Sequence, residues 1–101
     1  MVLTPDTTKY LRQAIFDRTL VGTPSQKRIA HDLLVYFNLW QDHGNTEKIA
    51  EEIEKSIDRW RKKFPPYEKK GVMTDCREVR ESLLVKDMLD TLVAEVAKKN
   101  V

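Results

Sequence analysis

The punctuation of this sequence cuts it into four helix-length segments, and that division constrains its fold more than any other feature. Thr4-Pro5 sets a hydroxyl at an N-cap and a proline at the first helical position, where its missing N–H is no loss. Thr23-Pro24-Ser25-Gln26 repeats the device, with Gln26 three residues after the cap, as a capping box requires. Val21-Gly22 closes the first segment, Asp42-His43-Gly44-Asn45 breaks the second, and Asn45 or Thr46 can cap the third. Pro65-Pro66 forbids continuation past about Phe64. Asp75, followed by Glu78, opens the fourth segment. The spacing predicts helices over about 5–20, 24–41, 46–64 and 76–98, with 65–74 as the longest loop.

Nothing in the chain competes with helix. No strand-like alternation is bounded by hairpin turns, and 3 Gly with 4 Pro are too few for the turns of an all-β fold. Aligning Thr4 on Thr23 gives little further identity, so the two starts are recurrent capping rather than a duplication. A chain of 101 residues makes one helical domain, 1–101. Short connections favour antiparallel neighbours. The expected architecture is all-α: a small antiparallel four-helix bundle, closed by its own helices or completed by a second chain.

Helix 3 shows its buried face most cleanly. Ile49, Ala50, Ile53, Ile57, Trp60 and Phe64 recur at three- and four-residue spacing on one face, and Glu47, Glu51, Glu54 and Asp58 occupy the opposite one. Helix 2 is different. Nine of the twelve residues from Ile29 to Trp40 are apolar, with Val35 and Leu39 on the side away from the broad face of Ile29, Leu33, Leu34, Phe37 and Trp40. A helix apolar on two sides needs cover on two sides. In helix 4, Val85, Leu89, Leu92 and Val96 follow a coiled-coil-like seam, while Leu84 and Met88 lie towards another side. Val35, Leu39, Leu84 and Met88 are therefore the expected partner interface, burying against another protein or a second copy in a two-fold dimer.

The charge balance, 18 basic against 16 acidic residues, neither demands nor excludes a nucleic-acid partner. Locally the picture sharpens. Residues 59–70 hold Arg59, Arg61, Lys62, Lys63, Lys69 and Lys70 against the single acid Glu68, with Trp60, Phe64 and Tyr67 interleaved. Cations with aromatics suit phosphate contact and base stacking. The same cations also complement the C-terminal dipole of helix 3, and Trp60 and Phe64 belong to its core stripe.

Other constellations are thinner. Glu51-Glu52-Ile53-Glu54, taken with Asp87 and Asp90, is similar to the carboxylate sets with which all-α nucleotide pyrophosphatases hold Mg²⁺, but the helix 3 stripe points away from its core face. Lys48-Ile49-Ala50-Glu51-Glu52-Ile53 with Ser56 and Arg59-Trp60-Arg61-Lys62 resembles a helix-turn-helix string. It lacks the turn glycine and is about three residues too short, so one uninterrupted helix explains the spacing. His31 and His43 have no partners at zinc spacing beyond the adjacent Asp42, and read as surface residues. Cys76, in the first turn of helix 4, has no local histidine to act as a base. As the sole cysteine it forms no intrachain disulfide and suits a reducing compartment.

The start of the chain lacks a basic region and apolar run of the signal-peptide kind, its end carries no prenylation box, and no apolar stretch nears the roughly 18 residues that would span a bilayer. A cytoplasmic protein with no membrane partner is expected. No cofactor, metal ligand or catalytic residue is assigned. The sequence reads first as a non-enzymatic protein–protein interaction module: an adaptor, assembly factor or small regulatory subunit. The alternatives are nucleic-acid binding by the basic cluster and a Mg²⁺-dependent all-α nucleotide pyrophosphatase.

Overall fold

The computed structural model describes residues 2–64 and 77–98, except the side chains of 77–79. Four α-helices account for most of them: α1 (Pro5–Leu20), α2 (Pro24–His43), α3 (Glu47–Lys63) and α4 (Arg77–Ala97). The loop expected over 65–74, the helix start at Asp75, and the residues Cys76, Lys69 and Lys70 lie outside the described residues.

The caps form as the side chains dictate. Thr23 Oγ1 accepts the Gln26 N–H at 3.1 Å, and Gln26 Oε1 accepts the Thr23 N–H at 2.9 Å. At α1 the reciprocal partner is Thr7, whose hydroxyl accepts the Thr4 N–H at 2.7 Å. Thr46, rather than Asn45, caps α3 by accepting the Ile49 N–H at 3.3 Å. Asn45 serves α4 instead, its Nδ2 donating to the Val96 carbonyl at 3.0 Å. Two glycines hold the turns. Gly22 has φ +125°, and a Cβ there would stand 2.7 Å from Gln26 Oε1, the oxygen of the capping box. Gly44, at φ +84°, donates its N–H to Trp40 O and ends α2 at His43, two residues beyond the expected Gln41.

The helices form an antiparallel bundle around one core. Gln26 Nε2 at the start of α2 donates to the Lys63 carbonyl at the end of α3, and Asn45 ahead of α3 reaches the end of α4. α2 packs along both α1 and α3, and α4 closes the ring against α3 and α1. Leu11 and Ile15 from α1, Leu33 and Phe37 from α2, Ile53 and Ile57 from α3, and Leu89, Leu92 and Val96 from α4 are fully buried together. Trp60 stacks on Phe64 with ring centroids 4.1 Å apart, and the Arg18 guanidinium of α1 lies 5.7 Å from the Trp60 ring.

One expectation about the apolar faces is corrected and another is narrowed. Met88 is core, at 3% exposure. The seam of Val85, Leu89, Leu92 and Val96 is buried as expected, but α4 touches two neighbouring helices, so its buried arc is wider than a two-helix seam and takes in Met88. α2 likewise lies between two helices of its own chain. On its second apolar side Leu39 packs half-buried against the core while Val35 stays exposed, so the chain's own helices cover that side in part.

Candidate functional site

Of the four expected interface positions, only Val35 is exposed, at 41%; Leu39 and Leu84 are half-buried against the core and Met88 is inside it. Exposed apolar groups lie on α1 and to either side of it, with Val2 at 73%, and on α4, with Leu83 at 44%. Phe16 is 44% exposed, Leu20 61% and Val21 74%. Phe16 and Leu20 are one turn apart and share a face. Phe16 lines a shallow depression with Arg12, Gln13, Leu34 and Asn38, which joins α1 to α2. Sequence reasoning passed over Phe16 and Leu20 because single apolar residues on a polar helix are ordinary. The adjacency of Phe16 to Leu34 depends on how α1 meets α2.

The basic cluster divides. Arg61 pairs with Asp90 of α4 at 2.5 Å, and Lys62 with Asp58 at 3.5 Å. Trp60 is 4% exposed, in the core as its place in the apolar stripe implies, and offers no face for stacking on bases. Arg59, Lys62 and Lys63 instead line a cleft of about 440 Å³ between α3 and α2. From α2 the cleft receives Arg28, Ser25 and Asp32, with Ile29 between them. None of these four was expected in a site. The available signal was Arg28 itself, a cation near the positive end of a helix dipole.

The carboxylates do not converge. Glu51 pairs with Lys55 at 2.9 Å and Glu52 with Lys48 at 3.2 Å, both along α3. Hydrogen bonding to Glu51, backed by the charges of Glu51 and Glu52, raises the Lys55 pKa. Asp90 is held by Arg61 and by Lys86 at 3.1 Å. Partial burial is the largest single influence on Asp90 and would raise its pKa, but the hydrogen bonds and charges of Arg61 and Lys86 together outweigh it, leaving the carboxyl below its ordinary value. Among the described residues no group of three or more His, Cys, Asp or Glu side chains could hold a metal ion. His31 is exposed, with its Nδ1 3.7 Å from the Asp32 carboxylate. The helix-turn-helix string forms one unbroken helix, α3. Among the described residues, no helix is long and apolar enough to cross a membrane.

The fold and these two surfaces define an all-α four-helix bundle with an apolar patch on one flank and a cationic cleft on another. No protein-family model, curated protein or solved structure matches the chain.

Proposed function

We propose that this chain is a non-enzymatic protein–protein interaction module, an adaptor, assembly factor or small regulatory subunit that docks through an apolar helix flank. One observation carries the reading: Phe16 and Leu20 on α1 and Val35 on α2 stay exposed although the chain's own four helices close a common core. Such a patch loses its contact with water most simply against its own copy about a two-fold axis. The reading includes a cytoplasmic location, supported by the lone cysteine. Sedimentation of the chain and of Phe16→Lys/Val35→Lys tests it. The expected result is a dimer that the double substitution converts to a monomer with unchanged helical circular dichroism. A wild-type chain that stays monomeric at millimolar concentration overturns the proposal, as does a variant that dimerises equally well.

Nucleic-acid binding remains the second reading, supported by the exposed cations Arg59, Lys62 and Lys63. The buried Trp60 gives it no stacking platform.

A further inference from the structure

We propose that the cleft between α2 and α3 binds a small phosphorylated ligand carrying a hydroxyl or amine donor beside its phosphates, the chemistry of a nucleoside polyphosphate. The inference is independent of the α1–α2 docking surface. Four cationic side chains, Arg28, Arg59, Lys62 and Lys63, share one concave wall with a single carboxylate, Asp32. Like charges gathered in a cleft repel one another and focus a positive potential into it.

Some cations outside the cleft are neutralised locally. Lys48, Lys55, Arg61 and Lys86 each have a carboxylate partner within 3.2 Å. Among the described residues, Arg28, Arg59 and Lys63 have no such ion pair. The dipole of α3 accounts for Lys62 and Lys63 in its last turn. It does not account for Arg28, which lies near the positive end of α2, a helix with no acidic residue in its first turn. An anion in the cleft compensates Arg28, Arg59 and Lys63 at once, beside Lys62, which Asp58 partners at 3.5 Å. Arg28 and Arg59 supply planar forks that match phosphate oxygens, and the lysines supply point charges.

The cleft is also preorganised and of limited size. Gln26 accepts the Thr23 N–H through Oε1 and donates to the Lys63 carbonyl through Nε2, both at 2.9 Å, which fastens the start of α2 to the end of α3. A volume of about 440 Å³ lies in the range of small-molecule sites rather than that of an extended polyanion track. Asp32 sharpens the choice of ligand. A carboxylate in the wall repels bare phosphate but accepts a hydrogen bond from a sugar hydroxyl or a base amine. The Ser25 hydroxyl adds a neutral donor.

Calorimetric titration of the full chain with adenosine triphosphate, inorganic triphosphate and a 20-residue oligothymidylate tests the assignment. Saturable adenosine triphosphate binding is expected, weakened at least tenfold by Arg59→Glu or Arg28→Glu and less than twofold by Lys9→Glu, a control charge reversal on α1. Asp32→Ala should weaken adenosine triphosphate and strengthen inorganic triphosphate. Inorganic triphosphate binding at least as tightly as adenosine triphosphate would leave a simple anion site and overturn the ligand class. Tighter binding of the oligonucleotide overturns it in favour of nucleic acid. No saturable binding of any probe, or equal loss in Lys9→Glu, removes the site. Each variant is checked by circular dichroism. If a glutamate variant loses helix, Arg59→Gln replaces it and must still weaken binding at least threefold.

Discussion

α2 and α3 are neighbours of similar length that hide their apolar side chains in opposite ways. On α3 the separation is clean: Ile49, Ile53, Ile57 and Trp60 are buried, and Glu51, Glu54 and Asp58 face water. Its pairs Lys48–Glu52, Lys55–Glu51 and Lys62–Asp58 run along the exposed surface. α2 has fully buried residues such as Leu33 and Phe37, half-buried ones such as Tyr36 and Leu39, and an exposed Val35, within three turns. A helix with separated faces declares its own burial. A helix apolar over most of its circumference leaves the answer to the number and placement of its neighbours.

Core truncations test that contrast most severely. Met88→Ala on α4 and Ile53→Ala on α3 should each cost about 2–5 kcal/mol in denaturant unfolding, because both side chains fill closely packed space. Leu39→Ala should cost roughly half as much, about 1–2 kcal/mol, and Val35→Ala less than about 0.5 kcal/mol. If Val35 cost as much as Leu39, the outer side of α2 would be covered and the docking surface would disappear.

A smaller effect sits where α2 begins. Thr23→Ala removes one half of the capping box and should cost about 1 kcal/mol. Because Gln26 also holds Lys63, the variant should speed amide exchange at the last turn of α3 as well as at the first turn of α2. Exchange confined to α2 would show that the two helix ends are not mechanically joined.

The smallest effect concerns the surface joining α3 to α4. The Asp90 pKa is lower in the folded chain than its ordinary value of 3.8, so its stabilising contribution is present above that value and is lost as pH falls through the folded pKa. With Arg61 and Asp90 side chains 47% and 40% exposed, solvent screening limits the contribution to a few tenths of a kcal/mol, about the resolution of careful denaturant titrations. Asp90→Asn should therefore be slightly less stable than wild type at pH 7 and should lose less stability than wild type below about pH 4. Parallel acid limbs in the two proteins would show that the bridge contributes nothing.

Different parts of the molecule were legible to different degrees. Helix starts at Pro5 and Pro24 could be read to the residue, since a threonine cap and a proline act within one turn. The seam from Val85 to Val96 was also legible, but Met88 was not, because its burial reflects a second helix that touches α4. The cations at 59–63 were visible as a run; their meeting with Arg28 was not, because the two lie 31 residues apart in the chain. Asn45 shows the same limit: its candidate roles included the cap of α3, yet its amide went to α4.

Local chemistry thus settled where the helices begin, where glycine and proline end them, and which face of α3 is dry, because capping, φ restriction and helical periodicity each operate over a few residues. Packing alone settled that Met88 lies inside, that Leu39 is half-covered, and that Arg28 and Arg59 share a wall. Those outcomes depend on contacts between segments far apart in the chain, and no property of either segment taken separately contains them.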